Sequence, residues 1–183
     1  MDLTEFEIVK RARQGNEDAI KEIIEKYEQQ VAATVIGILG YGPEVDDVGQ
    51  ETFVQFYRSL KRFRGDSQIG TYLTRIAINL SLNELKRRKR YSRFRGLDPQ
   101  ENVGYSQNRK EQESADVKGM IRQGLQKLEP KFRTVIVLRL INGYTTQETA
   151  NMLRLPLGTV LSRLARGQAR LKEIIENMIY HKS

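Results

Sequence analysis

Residues 63–95 read FRGDSQIGTYLTRIAINLSLNELKRRKRYSRFR and combine a regular apolar pattern with a dense run of cations. Apolar residues recur in it at helical spacing, which predicts a helix with one face in a core. These residues are Ile69, Tyr72, Leu73, Ile76 and Leu80. A second stripe at the same spacing carries amides and cations on another face. It comprises Arg75, Asn79, Asn83, Lys86, Arg87 and Arg90.

The polar stripe has the chemistry of a nucleic-acid contact, because Asn, Lys and Arg hydrogen-bond base edges and phosphates. Seven of the ten residues from 86 to 95 are Lys or Arg, and none of the ten is acidic. Such a dense positive run favours a polyanionic partner. A solvated helix end is the alternative, since cations are also favoured at the negative end of a helix dipole. The stretch by itself leaves both interpretations open.

Composition excludes several classes of protein. The chain has 183 residues, 31 Lys and Arg against 23 Asp and Glu, and a net charge of +8. It has no cysteine, and His181 is its single histidine. Thiolate metal sites, Cys nucleophiles and His triads are therefore excluded, and we expect neither an enzyme nor a metal or cofactor. No apolar run of about 18 residues occurs, so we expect no membrane insertion and an intracellular location.

Helical periodicity predicts an all-α fold of two small domains joined by a flexible linker. The N-terminal domain covers 1–95 and the C-terminal domain 114–183. Residues 96–113 have few apolar anchors and several turn formers, which is typical of a linker. Three helices are predicted before the basic one: Leu3–Gln14, Glu17–Leu39 and Glu44–Phe63.

The helix predicted at Glu44–Phe63 combines acids with large apolar side chains. Asp47 and Glu51 lie on one side, Val48 and Phe56 on the other, and Phe53 at the edge between them. Exposed aromatic residues beside acids predict a protein-docking surface. A helix buried on two sides of a bundle is the alternative.

Near the C-terminus the spacing predicts a helix-turn-helix. Thr145 and Glu148 form a capping box that begins a short helix. A turn at 155–158 leads into a longer helix that runs from about Leu157 to Met178. Its polar face comprises Thr159, Ser162, Arg163, Arg166 and Arg170. Because residues 149–172 include no acid, this face suits a DNA major groove, with a basic helical hairpin as the alternative.

Three segments together resemble bacterial RNA polymerase sigma factors of the extracytoplasmic-function (ECF) group. EVDDVGQETFVQFYRSLKRFRGDSQIGTYLTRIAINLSLNELKRRKR is similar to regions 2.2 to 2.4 of that family. LEPKFRTVIVLRLINGYTTQETANML is similar to regions 4.1 and early 4.2, and LPLGTVLSRLARGQARLKE to the recognition helix of region 4.2. The resemblance covers nearly the whole chain except the linker, in the family's order.

The resemblance implies a cytoplasmic bacterial initiation factor that binds core RNA polymerase through its β′ clamp helices and β flap. It also implies that the protein recognises the −10 and −35 elements of a promoter and that it binds an anti-sigma factor. The residues implied in core polymerase binding are Asp47, Gln50, Glu51 and Phe53. Those implied at the −10 element are Phe63, Arg64, Asp66, Ser67, Tyr72, Asn79, Asn83, Lys86, Arg87 and Arg90. Those implied at the −35 element are Thr159, Ser162, Arg163, Arg166 and Arg170.

The sequence also departs from the family pattern. Tyr72 stands where Trp is usual, and Gly49 replaces a customary Ala. Leu161 and Gln168 occupy positions that are often basic, and Leu155 stands where a small capping residue is common. We therefore expect fewer phosphate contacts from the recognition helix, or an unusual −35 sequence. A stand-alone helix-turn-helix regulator is the alternative function, although it does not account for the acidic third helix.

Overall fold

A computed structural model of the protein describes residues 3–95 and 117–180, and every regular element in these ranges is helical. This confirms the all-α prediction, while the linker predicted at 96–113 lies outside the described residues. The α-helices are α1 Leu3–Arg13, α2 Glu17–Leu39, α3 Glu44–Ser59, α4 Ile69–Arg95, α5 Val117–Lys127, α6 Pro130–Ile136, α7 Thr146–Leu153 and α8 Leu157–Tyr180. Among these helices, none is both long and apolar enough to cross a bilayer.

Helices α1 to α4, here named the N-terminal bundle, pack around one continuous core. Val31 and Val35 of α2 and Leu73 and Ala77 of α4 are at the centre of that core and are fully buried. Asn16 begins α2 as its sequence predicted, because its side-chain oxygen accepts a hydrogen bond of 2.8 Å from the Ala19 amide. Helix α4, which carries the polar stripe, packs its apolar face against α2 and α3 in this core.

The third helix ends earlier than its pattern predicted. The α-helical part stops at Ser59, and a 3₁₀ turn from Leu60 to Arg62 replaces its predicted last turn. Phe63 then turns into the core, where its ring lies 5.0 Å from that of Tyr72 and 6.2 Å from that of Phe56. Aromatic pairs at such distances attract each other. This packing fixes the start of the loop that leads into α4.

Helices α5 to α8, here named the C-terminal unit, contain the predicted helix-turn-helix. Thr145 accepts a hydrogen bond from the Glu148 amide at 3.2 Å, and the Glu148 carboxylate accepts one from the Thr145 amide at 2.7 Å. This pair confirms the capping box. Gly167 lets α8 approach α6 closely, since an added Cβ would lie 3.0 Å from Ile136.

One feature of the C-terminal unit was not predicted. Helix α6 ends at Ile136, and the chain then widens into a π-helix over Val137–Ile141. The Asn142 amide accordingly bonds the Val137 carbonyl, five residues back, at 2.9 Å. Insertions of this kind concentrate at functional sites and interfaces.

The C-terminal unit contacts the N-terminal bundle through this π-helix. Ile38 of α2 and Ile78 of α4 share one buried cluster with Val137, Leu138 and Met152. This cluster places the helix-turn-helix beside the end of α2.

Candidate nucleic-acid interfaces

The polar stripe of α4 is exposed from Asn79 onward, whereas Arg75 at its start is half-buried. Asn79, Asn83, Lys86 and Arg90 all face solvent, and their spacing of three to four residues places them along one side of the helix. Two amides therefore precede two cations along the same face. Amides can pair with base edges, and cations can pair with phosphates.

Two other cations of α4 have partners within the protein. Arg87 donates to Glu84 at 2.6 and 2.9 Å, and these hydrogen bonds raise the pKa of the Arg87 guanidinium above its usual value. Arg88 turns toward the bundle, where it bonds Glu44 at 2.8 Å and the Leu39 carbonyl at 3.2 Å. Arg87 is consequently a weaker candidate for a phosphate contact than Lys86 or Arg90.

The loop before α4 divides into an exposed part and a buried part. Arg64 and Asp66 are exposed, and Ser67 is half-buried. Phe63, which the resemblance implies at the −10 element, is only 5% exposed, so its ring is not available to stack on a base. The half-buried Tyr72, which contacts Phe63, is the better aromatic candidate. We therefore assign Phe63 a supporting position beneath the loop.

Helix α3 has features of both structures that its sequence suggested, a protein-docking surface and a helix packed within a bundle. Val48, Thr52 and Phe56 are buried in the bundle, whereas Asp47 and Gln50 are exposed. The opposite, mixed face therefore remains available for a protein partner.

One of the predicted docking residues on α3, Phe53, lines an apolar depression between α2 and α3. Glu51 is half-buried and lies 3.7 Å from Arg58, and Phe53 is half-buried at the rim. The depression is lined by Ile20, Ile23, Ile24, Phe53, Phe56, Tyr57 and Leu60. Tyr57 is 52% exposed and belongs to this surface, although its spacing marked it only as an edge residue.

In α8, the buried side is formed by Val160 and Gly167, with Leu164, Leu171 and Ile174 half-buried beside them. On the opposite side, Ser162 and Arg166 are exposed, and Thr159 and Arg163 are half-buried. The Ser162 hydroxyl donates to the Thr159 carbonyl at 3.0 Å, which orients it along the helix. These four predicted residues thus lie together on the accessible part of the recognition helix.

Arg170 differs from the other four residues predicted at the −35 element. Its guanidinium pairs with Glu129 and lies 4.7 Å from the centre of the Phe132 ring. Hydrogen bonds from Lys131 and Arg170 hold the pKa of Glu129 below its usual value. Arg170 therefore fastens α8 to the start of α6, and DNA binding would compete with that contact.

The other flank of α8 is apolar. Leu157 is 43% exposed and Leu161 is 51% exposed, one turn apart, and Gln168 is exposed further along the helix. Arginines therefore lie along one edge of the recognition helix, and leucines lie along the other. Such a helix can meet phosphates along one edge and base methyl groups along the other.

Comparison with known proteins matches two parts of the chain to known families. Residues 23–91 match the Sigma-70 region 2 family, and residues 124–173 match the Sigma-70, region 4 family. Together these matches cover well over half of the chain. They define the class as sigma-70-type initiation factors, in which a region 2 precedes a region 4.

Comparison with individual proteins identifies a narrower group within this class. The chain is 29% identical to the ECF RNA polymerase sigma-E factor of Escherichia coli, over 97% of each protein. The solved structure of CnrH bound to the cytosolic domain of CnrY aligns with a TM-score of 0.68 and 25% identity, covering 94% of this chain and 97% of that one. The sigma factor RpoE of Bartonella quintana, solved with the anti-sigma factor NepR, aligns with a TM-score of 0.67 and 18% identity, covering 85% and 96%. The chain belongs to the ECF sigma factors of the sigma-70 family.

Proposed function

We propose that this protein binds core RNA polymerase and directs it to promoters with a particular pair of −10 and −35 elements. The observation that carries the proposal is the presence of two exposed faces with nucleic-acid chemistry, on α4 and α8, in the order of regions 2 and 4. In this proposal, residues 1–95 act at the −10 element and residues 114–183 at the −35 element. Residues 96–113 connect the two domains.

At the −10 element, the face of α4 captures bases from a locally opened duplex. Unstacking a base costs roughly a few kcal/mol. Amide hydrogen bonds from Asn79 and Asn83, with stacking on Tyr72, offset this cost. Lys86 and Arg90, which lie further along the same exposed face, hold the phosphate backbone. No covalent step is required, in keeping with a class of initiation factors rather than enzymes.

At the −35 element, α8 enters the major groove. Its first exposed turns carry Ser162, Arg163 and Arg166, which reach base edges and phosphates. The capping box at Thr145 orients α7, and α7 positions α8 across the groove.

The core polymerase docks on α3. Asp47 and Gln50 supply exposed polar groups on the same helix whose Phe53 and Tyr57 line the apolar depression, and polar and apolar groups together are typical of a protein interface. The β′ clamp helices are the proposed partner of this surface, and the β flap is the proposed partner of the C-terminal unit. Since core polymerase acts in the bacterial cytoplasm, we place this protein there too.

Polymerase docking can be tested with a charge reversal. Asp47→Lys is expected to weaken capture of core polymerase, because it changes the charge of the docking face while leaving the buried side of α3 intact. Glu7→Lys, on the exposed face of α1, is the matched control. Equal capture of core polymerase by both variants would show that α3 has only a structural role.

An anti-sigma factor is the proposed negative regulator. The Bartonella quintana sigma factor, which shares this fold, was solved bound to one. Binding of such a partner would be detected as co-purification that competes with core polymerase.

The whole proposal is tested by run-off transcription with core polymerase and a library of promoter sequences. We expect start sites that depend on this protein and share one pair of elements. A stand-alone regulator would instead bind DNA without polymerase and give no new start sites. Failure to support initiation on any promoter in the library would overturn the proposal.

A further inference from the structure

The turn between α7 and α8 has an unusual backbone. Arg154, which follows the last residue of α7, has a φ of 53° and a ψ of 47°, in the left-handed region. Of the residues that the structure describes, every other one with a φ in this region is a glycine, namely Gly15, Gly40, Gly65 and Gly143. A larger residue is strained there because its Cβ approaches the following carbonyl oxygen. Glycine would therefore adopt the backbone of residue 154 more easily than arginine does.

The surroundings of the turn fix this backbone. The Leu155 amide donates to the Ala150 carbonyl at 3.0 Å, and the Arg154 amide donates to the Asn151 carbonyl at 3.4 Å. These bonds satisfy the last carbonyls of α7, as in the usual left-handed end of a helix. Leu155 also packs against the buried cluster that contains Val160 of α8. The conformation at residue 154 is consequently set by its neighbours, whichever side chain it carries.

The side chain of Arg154 does not offset this strain through a contact of its own. It is exposed, and within the described part of the chain no carboxylate or carbonyl accepts a hydrogen bond from its guanidinium. The negative end of the α7 dipole is the alternative partner, since cations stabilise the ends of helices. Strained residues are concentrated at functional sites, where the surrounding structure holds them in place. The outlier at Arg154 therefore indicates a partner outside the chain.

Arg154 stands at the end of a polar ridge on the exposed side of α7. Gln147 and Asn151 lie one turn apart on this side, and both are exposed. Gln147 donates to Asn151 Oδ1 at 3.1 Å, which leaves the Asn151 Nδ2 group to donate to a molecule outside the chain. The neighbouring acid, Glu148, instead accepts a hydrogen bond from the Thr145 amide at 2.7 Å. Amide and guanidinium donors arranged in this way suit DNA phosphates.

The position of the turn fits the sugar–phosphate backbone beside the major groove. In a helix-turn-helix the second helix lies in the major groove, and the first helix crosses the backbone. Arg154 is three residues before Leu157, the first residue of α8, so their Cα atoms are at most about 11 Å apart. The major groove is about 12 Å wide. A long arginine side chain at this distance from the start of α8 can therefore reach a phosphate at the edge of the groove.

The recognition helix itself offers few cations to the phosphates. The Arg170 guanidinium pairs with Glu129, and the exposed Leu161 and Gln168 carry no charge. A cation in the turn before α8 thus adds a contact that α8 lacks.

We infer that Arg154 holds a phosphate of one DNA strand beside the −35 element, and that the fold retains a strained backbone for this contact. The inference rests on the proposed function, since it concerns the same helix-turn-helix at a promoter. Because every base pair carries the same phosphates, the contact fixes the position of α8 on the duplex and does not distinguish base sequences. Such a role has a specific consequence, because a variant that relieves the strain folds more stably and binds DNA more weakly.

The substitution Arg154→Gly tests both parts of the inference, because glycine adopts the left-handed conformation without strain. We expect its melting temperature, followed by circular dichroism, to rise by about 2–4 °C. The same variant, assembled with core polymerase, should bind promoter duplexes about tenfold more weakly, whatever the base sequence of the −35 element. Competition binding measures this loss.

Neutral phosphates locate the contact on the DNA. A methylphosphonate group removes the charge of a single phosphate, and it is placed in turn at each position around the −35 element. We expect a position at which this replacement weakens binding of the wild-type complex but does not affect Arg154→Gly. Arg154→Lys keeps a cation on the same backbone and should retain the wild-type sensitivity. Lys21→Ala, on the exposed side of α2, is the matched control for the loss of one positive charge.

The outcomes separate the inference from the proposed function. Wild-type affinity of Arg154→Gly, or a loss no larger than that of Lys21→Ala, would overturn the inference and leave the proposed function intact. A lower melting temperature with unchanged DNA binding would also overturn it, because Arg154 would then be a cation that stabilises the end of α7. If the wild-type complex binds no promoter better than unrelated DNA, the proposed function fails and the inference fails with it.

Discussion

The N-terminal bundle and the C-terminal unit differ in how each builds its interior. The bundle has one continuous core, and all the buried side chains in it come from residues 8–77 of the bundle itself. The C-terminal unit has small separate clusters, and one of these includes Ile38 and Ile78 of the bundle. The bundle is thus self-sufficient, whereas the C-terminal unit completes its interior by docking.

The two DNA-facing helices differ in a corresponding way. Helix α4 belongs to the larger core, and several of its cations are paired with acids of the same unit, such as Arg87 with Glu84. Helix α8 carries its arginines on one edge and exposed leucines on the other. In the proposed function, the first helix would hold bases in a fixed position, and the second would contact the two walls of the major groove differently.

The largest expected effect is on the free energy of unfolding. It tests the difference between the interior of the N-terminal bundle and that of the C-terminal unit. Leu73 and Leu125 are both buried, one in each unit. Each leucine-to-alanine change should lower the free energy of unfolding by about 2–5 kcal/mol, because it leaves a cavity. In urea denaturation followed by circular dichroism, Leu125→Ala should unfold the C-terminal unit first. A single shared transition in both variants would contradict the self-sufficiency of the bundle.

At the −10 face, Asn79→Ala should reduce promoter opening without affecting polymerase capture. Loss of a bidentate base contact costs about 1–3 kcal/mol, or roughly 5- to 150-fold. Permanganate footprinting of opened thymines would measure the effect. Asn177→Ala, at an exposed position near the end of α8, is the control and should open promoters normally. A normal footprint with Asn79→Ala would show that Asn79 does not contact bases at the −10 element.

At the arginine edge of α8, Arg163→Ala should weaken binding at the −35 element to an extent that depends on the base sequence. A direct base contact predicts a loss of about 1–3 kcal/mol at one position of the element and little elsewhere. Competition binding of the polymerase complex to single-base variants would measure it. An equal loss on all sequences would identify Arg163 as a phosphate contact.

At the leucine edge, Leu161→Ala should remove a preference for thymine. Replacing thymine by uracil deletes only the methyl group, and we expect a loss of about 1 kcal/mol with the wild-type protein at one position. Leu161→Ala should be insensitive to that replacement. The exposed Leu140, outside the recognition helix, provides the control variant Leu140→Ala, which should keep the wild-type sensitivity. Equal sensitivity of all three proteins would assign Leu161 to another contact.

The smallest expected effect is the pH dependence of the capping box. Hydrogen bonds from Thr145 hold the pKa of Glu148 below its usual value. Its contribution to stability is therefore present above the unfolded-state pKa, near 4.5, and is lost as the pH falls through the lower folded-state value. The stability difference between wild type and Glu148→Gln should shrink as the pH falls from 7 to 3. A difference that is independent of pH would show that the charge of Glu148 contributes nothing.

Local sequence signals predicted most of the helices well. Asn16 and the glycine at 40 bracket α2 at the predicted residues, and the capping box fixes the start of α7. The exposed stripe at Asn79 and Asn83 was also predicted, because a helical period determines which residues share a face. These features depend on residues within a few positions of one another.

Features that depend on distant partners were not predicted. Arg88 lies within the basic run, yet its guanidinium bonds Glu44, and Arg170 lies on the recognition helix, yet it pairs with Glu129. Phe63 was expected to face a base and is buried instead. In each case the decisive contact joins residues that periodicity treats as unrelated.

The sequence by itself determined that this protein is helical, where its helices begin, and which of their faces carry amides and cations. Those properties follow from short-range hydrogen bonding and from the period of the helix. Only the tertiary structure decided which cations remain available and that the π-helix after α6 packs against Ile38 and Ile78 of the bundle. The physical reason is that burial and charge pairing are settled between elements far apart in the chain, after each helix has formed.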